Sequence, residues 1–270
     1  YVAIPHTWQT YETTRELHPY IRNVSAKDDP YWWNGWGWYR KHLVIGKEYA
    51  GRNVYLEFDG VQKYSKVYVN GHYLGDHKGG FTSFYMDATE AIRFGEDNVI
   101  VVAVNNALND RYNIPPMNAG NWSVYGGIVR DVRLVITDRL NVPYQGSYKH
   151  EGGTFITTPF VSSKSADVQI KTYVQNNFPE ARETRVVTYL ANSNNIVFDR
   201  QESRRMIRPG EIAEFVQHSA PVKNPNLWSP QTPYIYNAYT EVYDGKRLAD
   251  TYHSTFGIRS IAWDYDLHRL

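Results

Sequence analysis

The residues best equipped for chemistry lie in the irregular run 105–121, NNALNDRYNIPPMNAGN. Asn105, Asn106, Asn109, Asp110, Arg111 and Asn113 supply amides, a carboxylate and a guanidinium, groups that exchange hydrogen bonds with sugar hydroxyls. Long loops in compact domains are often functional. Asn and Asp also form Asx turns that satisfy a loop's own backbone, and both readings stand for this run. A second candidate is the run 31–41, YWWNGWGWYRK, where Trp32, Trp33, Trp36 and Trp38 fall within seven residues. One strand cannot bury that many indoles in one core, so some face another domain or a sugar ring. Other chemistries have less footing. His72 and His77 flank one end of a hairpin without carboxylates at ligand spacing, and read as surface histidines. Asp28–Asp29 and the pair Asp264 and Asp266 read as loop charges. No G-x-S-x-G, P-loop or G-x-G-x-x-G occurs. No catalytic residue, cofactor or metal ligand is assigned, and a bound cation is left open.

The elements that must position these groups are strands. Asn70–Gly71 separates the β-rich runs 66–69 and 72–74, and Asn-Gly is the strongest short hairpin signal because a type I′ turn needs φ > 0 at both central residues. Alternation puts Val67 and Val69 on one face and Lys66 and Tyr68 on the other. Gly75 and then Gly79–Gly80 are expected to end the second strand. Val54, Leu56 and Phe58 alternate with Tyr55 and Glu57. NVIVVAV at 98–104 reads as a strand buried on both faces, and Asp87 or Thr89 is placed to cap a short helical turn before it. A Pro, a Gly and mixed polarity mark a linker at about residues 139–150. Beyond it, strands at 166–174, 185–190, 196–199, 212–216, 234–242 and 247–256, with turns at 192–195, 209–210 and 244–245, keep the rhythm of an immunoglobulin-type sandwich. The chain of 270 residues has a net charge of +1 with acids and bases interleaved, so no basic patch points to nucleic acid. It has no Cys, hence no disulfide and no thiol chemistry, and its apolar runs are too short to span a bilayer as a helix. It begins mid-pattern without Met, which reads as an excised fragment or a processed chain.

Several stretches carry a resemblance. FDGV at 58–61, VYVNG at 67–71, LGDHKGGFTSF at 74–84, IPHTW at 4–8, GWYR at 37–40 and YGGIVRDVRL at 125–134 resemble, in order and spacing, the sugar-binding domain of glycoside hydrolase family 2, the β-galactosidase, β-glucuronidase and β-mannosidase group. LWSPQTPYIY at 227–236 and FGIRSI at 256–261 resemble that family's second domain and the strand by which its chains leave for a catalytic barrel. The resemblance, closest to the β-galactosidases, covers nearly the whole chain. It implies an all-β protein: a jelly-roll sugar-binding domain at 1–143, an immunoglobulin-like β-sandwich at 144–263, and the start of a connection to a TIM barrel at 264–270. It implies that Arg130 and Asp131 form an ion pair locking the first sandwich.

It also implies a function. The family hydrolyses terminal β-glycosides with retention, using two Glu on barrel strands about 5–5.5 Å apart, the acid/base one in an Asn-Glu dipeptide. No Asn-Glu dipeptide occurs here, and a barrel needs roughly 250 more residues. Both Glu are therefore expected beyond Leu270, and this chain alone is expected to be inactive. Its roles would be to buttress the barrel and to shape the sugar pocket, with Asp110, Asn109 and Trp36 as the substrate-binding residues. The implied partners are a carbohydrate substrate and the chain's own barrel, with no nucleic acid and no membrane. Homo-oligomer formation and the identity of the sugar are left open, and family habit sets a periplasmic or secreted location ahead of a cytoplasmic one. The alternatives are a stand-alone carbohydrate-binding module with an immunoglobulin-like partner, which would have no use for the 256–261 strand, and a structural tandem sandwich, which would not explain the 125–134 match.

Overall fold

A computed structural model of the chain describes residues 1–8, 35–107, 126–144, 152–262 and 266. The protein is all-β: among the described residues, helix is confined to the single 3₁₀ turns Lys47–Tyr49 and Thr89–Ala91. No helix there is long and apolar enough to cross a membrane. The chain divides into two compact units, Tyr1–Ile136 and Thr137–Leu270.

The first unit contains β1 (Trp36–Val44), β2 (Asn53–Phe58), β3 (Val61–Gln62), β4 (Tyr64–Val69), β5 (His72–Lys78), β6 (Phe84–Asp87), β7 (Asp97–Asn105), β8 (Gly127–Ile128) and β9 (Val132–Thr137). One sheet runs β1-β7-β4-β5, a second β6-β2-β9, and β3 pairs with β8. Strand alternation sends Val67, Val69, Ile100, Val102 and Val104 from the first sheet, and Val54, Leu56, Phe58, Phe84 and Met86 from the second, into one core. Each such side chain contributes about 1.5–3 kcal/mol on burial. The hairpin is as expected: Asn70 and Gly71 have φ of 52° and 83°. Asn70 also donates to the carbonyl of Ala91 and to Asn98, and accepts from the Val99 amide, tying the tip to β7. The Asp87 carboxylate accepts the Thr89 amide at 2.9 Å, but the N-cap of the turn is neither of the expected residues: it is Ala88, which makes no side-chain cap.

Three expectations are corrected. Gly75 does not end a strand: β5 continues to Lys78, and Gly75 lies opposite Val67 beside a register shift, where a β-carbon would press on Met86 Sδ at 3.0 Å. β7 is not buried on both faces along its length, because Val99 and Val101 are half-buried on the outer side, where Arg40 and Tyr68 flank Val101. Arg130 and Asp131 do not pair with each other. The ion pair here is Arg133 with Asp59 at 2.6 Å, with Glu57 at 3.8 Å, while Arg130 donates to the carbonyl of Phe81. Arg133 alternates outward on β9 and so meets the carboxylates at the end of β2, next to it in the sheet.

The motifs at 4–8, 37–40 and 125–134 meet around one indole. Trp8 is buried, with its ring against the backbones of Gly37 and Gly126, where any β-carbon would overlap it. The Trp8 amide donates to the carbonyl of Gly126, the Thr7 hydroxyl to the same oxygen, and the His6 amide to the carbonyl of Ile128. His6 Nδ1 and the Tyr39 hydroxyl hydrogen bond at 2.8 Å.

The second unit contains β10 (Leu140–Asn141), β11 (Thr154–Thr157), β12 (Ser165–Ala166), β13 (Gln169–Asn176), β14 (Arg182–Ala191), β15 (Val197–Ile207), β16 (Ile212–His218), β17 (Val222–Lys223), β18 (Tyr236–Asp244) and β19 (Arg247–Phe256). One sheet centres on β13, which pairs with β16, β10 and β11, and the other runs β15-β14-β18-β19. Residues 137–143, counted with the first domain in the sequence reading, sit in this unit, with Leu140 opposite Asn176 and Asp138 held by Arg247 at 2.6 Å. β15 is far longer than the expected 196–199. Its polar run DRQESRRM has no apolar alternation to read, yet it stays in register with β14 as far as Ile207, with Glu202 bridging Arg200, Arg204 and Arg185. Trp228 packs beside Gly257, where a β-carbon would stand 3.0 Å from its side chain, and beneath the Arg259 guanidinium, so the motifs at 227–236 and 256–261 also meet.

Replacing Gly126 by Ala is expected to destabilise the first unit by about 1–3 kcal/mol, the usual range for an overpacked site. Urea unfolding followed by Trp fluorescence checks this.

Candidate functional site

Trp36 opens β1 and lies opposite Asn105, the last residue of β7, which lies opposite Tyr64, the first of β4. One cross-strand row therefore brings together the start of the Trp-rich strand and the start of the polar run. Trp36 packs edge-on to Tyr64 with centroids 5.8 Å apart and leans on Trp38 at 6.5 Å, and the Lys66 ammonium lies 5.7 Å from its ring centre. Trp38, two residues along on the same outer face, is 66% exposed. Further along this sheet, Tyr68 and Tyr73 stand 5.3 Å apart, and Tyr73 donates to Asp76. Burial and the Asp76 charge push the Tyr73 phenol up to about 12. This face is an aromatic strip with one cation laid on it, suited to the apolar face of a sugar ring or to another protein surface.

Of the polar run, Asn105 and Asn106 begin the segment with their amides already engaged. Asn105 Oδ1 accepts the Ala107 amide at 2.7 Å, and Asn106 Oδ1 accepts the Gly35 amide at 3.0 Å. For Asn105 the Asx-turn reading holds, whereas Asn106 makes a tertiary bond to Gly35 in the Trp-rich run. Asn109, Asp110, Arg111 and Asn113 lie outside the described residues, as do Trp32 and Trp33.

Behind the row sits a group that the sequence reading missed. Lys63 joins β3 to β4 and is only 2% exposed. Its amide donates to the carbonyl of Asn105, and its own carbonyl accepts the Gly79 amide. Lys63 Nζ, Gln62 Oε1 and Ser65 Oγ are all shut from solvent without a hydrogen-bond partner. Burial lowers the Lys63 pKa, and Gln62 lays its amide oxygen against the backbone of Gly80, where a side chain would overlap it. The signal was present in the alternation: extended back from Val67 through Ser65, it puts Lys63 on the buried face.

The remaining titratable groups are structural. Burial raises the Tyr39 phenol to about 12 and lowers His6, which keeps the imidazole neutral at pH 7. His77 is half-buried. It stacks on Phe84 at 4.1 Å and hydrogen bonds Thr82, and burial lowers its pKa. Arg133 beside Asp59 holds that carboxyl below its usual range, the wrong direction for a proton donor. Among the described residues no three His, Asp or Glu side chains converge as metal ligands. In the second unit, a cleft of about 410 Å³ between β11 and β19, lined by Phe155 and His253 among others, has no carboxylate in its wall.

Two antiparallel sandwiches, the first with an aromatic strip ending at amide groups, define a tandem all-β protein of the kind that carries carbohydrate sites. Residues 1–138 match the sugar binding domain of Glycosyl hydrolases family 2, residues 152–259 match Glycosyl hydrolases family 2 itself, and the chain belongs to that family. A β-glucuronidase of Formosa agariphila is 31% identical over 98% of this chain and 27% of its own length. A β-galactosidase of Thermoanaerobacter pseudethanolicus is 28% identical over 98% and 32%. The crystal structure of Bacteroides uniformis β-glucuronidase superposes with a TM-score of 0.82 at 28% identity, covering 97% of this chain and 29% of that one. The chain thus spans less than a third of the length of each of these relatives.

The Lys63→Met variant is expected to unfold at higher free energy than the unaltered chain at pH 7, by about 1–4 kcal/mol, the gain seen where buried charge gives way to apolar volume. The sign with pH follows from linkage. Between the lowered folded value and about 10.4, the unfolded state binds more protons, so stability rises with pH. Denaturant titrations at several pH values should show that rise in the unaltered chain and its reduction in Lys63→Met.

Proposed function

We propose that this chain is the accessory, non-catalytic portion of a retaining β-glycosidase, and that its first unit forms one wall of the sugar site. The observation that carries this is the match of residues 1–138 to a sugar-binding domain whose described end presents Trp36 and Trp38 beside the start of the run at 105. In this reading Trp36 stacks on the sugar, and Asp110 and Asn109 exchange hydrogen bonds with its hydroxyls. The two carboxylates that cleave the bond belong to a barrel outside these residues. In this reading the second unit is a spacer, with Arg185 and Arg200 of its β15-β14-β18-β19 sheet both paired with Glu202.

The substrate of the whole protein is a terminal β-glycoside. The relatives named above divide between glucuronides and galactosides, and both are candidates. The test is a pair of expressions. This chain alone should give no turnover of p-nitrophenyl β-glucuronide or β-galactoside, whereas the full-length protein turns over one of them. In the full-length protein, Asp110→Ala should lower kcat/KM by about 10–100-fold, the cost of one or two lost hydrogen bonds to the reacting sugar. Turnover by the chain alone, or an unchanged kcat/KM in Asp110→Ala, would overturn the corresponding part of the reading.

A further inference from the structure

The outward face of the β1-β7-β4-β5 sheet carries a second layer of side chains. In register, Trp36, Asn105 and Tyr64 form one row across it, Trp38, Ala103, Lys66 and Asp76 the next, and Arg40, Val101, Tyr68 and Tyr73 a third. Ala103 alternates outward between Val102 and Val104, which enter the core, yet it is fully buried. Larger neighbours therefore close over it, and the layer is continuous. Its members hold one another. Trp36 lies at 33° to Trp38 and edge-on to Tyr64, and Lys66 Nζ stands 5.7 Å and 6.0 Å from the Trp36 and Tyr64 ring centres. Tyr73 meets Tyr68 and donates to Asp76 at 2.8 Å. Trp38 and Tyr73 still keep much of their surface in water, at 66% and 52% exposed. The layer is thus ordered before anything covers it, and it forgoes the gain that burying its rings would bring.

The mixture of groups says what would cover it. The core of a protein–protein interface is depleted in Lys and Asp, and here Lys66 and Asp76 share the middle row. A pyranose presents an apolar C–H face to a ring and, at its rim, hydroxyls that both donate and accept, so it uses the rings and the charged groups together. Extent sets the number of sugars. Trp38 on β1 and Tyr73 on β5 are three strand spacings and one two-residue step apart, about 15 Å, which is longer than a single sugar ring.

We propose that this face binds a glycan chain at least two sugars long, stacked on Trp36 and Trp38 at one end and on Tyr68 and Tyr73 at the other, with Lys66 and Asp76 exchanging hydrogen bonds with its hydroxyls. The inference rests on the sugar-binding reading given above and adds the size of the ligand. In that reading Trp36 stacks on the terminal sugar, and the strip continues from Trp36 toward Tyr73, where the following sugars lie.

Native electrophoresis of this chain through gels cast with soluble β-1,4-galactan, glucuronoxylan or mixed-linkage β-glucan tests it, followed by calorimetric titration with the mono- and tetrasaccharide of the glycan that retards it most. At least one glycan should slow the chain, and its tetrasaccharide should bind at least tenfold tighter than its monosaccharide. Trp38→Ala and Tyr73→Ala should each weaken the tetrasaccharide at least fivefold. Both side chains are largely exposed, so both variants should unfold in urea at the same midpoint as the unaltered chain. Monosaccharide binding as tight as tetrasaccharide binding overturns the proposal and leaves the sugar-binding reading intact, as does tetrasaccharide affinity unchanged in both variants. Retardation by none of the glycans also overturns it, while the sugar-binding reading is decided separately by kcat/KM of Asp110→Ala in the full-length protein. Self-association of the chain that both variants abolish makes the face a protein interface and overturns the glycan as its occupant.

Discussion

The contact on which the first unit depends is the indole of Trp8 lying against two backbones. Gly37 belongs to β1 and Gly126 immediately precedes β8, and neither could carry a side chain without displacing the ring. The indole therefore joins an N-terminal segment with no strand partner of its own to the first long strand and to a segment about ninety residues further on. Its value is the burial of a large aromatic, several kcal/mol in the usual range, together with the hydrogen bonds of His6, Thr7 and Trp8 to the carbonyls of Gly126 and Ile128. β8 in turn pairs with β3, which leads directly into Lys63. What looks like terminal packing thus sets the backbone from which the buried polar atoms project.

The same end of the sandwich spends stability where the other parts gain it. The core between the two sheets is apolar and closely alternating, and the hairpin tip is satisfied by the amides of Asn70 and Asn98. Near Lys63 the rule reverses, with charge, amide and hydroxyl buried and unmet. Such local violations of good packing practice cost stability wherever they occur. In the second unit Thr172 Oγ1 and Gln217 Oε1 are also unmet, on the paired strands β13 and β16, where Thr172 lies opposite Phe215 and Ile170 opposite Gln217.

Much of the fold was legible because it is encoded locally. Asn70–Gly71 dictates its turn, Val67 and Val69 dictate their face, and the family motifs mark where backbones touch. The length of β15 was not legible. Its residues carry no apolar rhythm, and what holds them extended is the backbone pairing with β14, to which the side chains add one cross-strand ion pair, Arg185 with Glu202. The supposed pair of Arg130 and Asp131 failed because both precede β9: Arg130 reaches the carbonyl of Phe81, and Asp59 takes its partner, Arg133, from the strand itself. The stacking of half-buried His77 on Phe84 is a tertiary fact that its sequence neighbours do not carry. Of the candidate site, Trp36 could be placed, Asn109 and Asp110 lie outside the described residues, and Lys63 was passed over because a lysine in a strand is ordinarily taken to face solvent.

Both units are closed by a tryptophan seated on a glycine, Trp8 on Gly37 and Gly126, and Trp228 on Gly257. Such a seat constrains evolutionary drift. A larger residue at any of these glycines evicts the ring, and a smaller residue in place of the ring leaves a void, so no single exchange leads to an equally good arrangement and the partners must change together or stay fixed. The letters by which the lineage is most readily recognised are then those that steric necessity has frozen, and they carry almost no information about the sugar. Divergence in substrate is written instead into residues free to vary between these fixed points, which is where glucuronide and galactoside enzymes of common descent would part company.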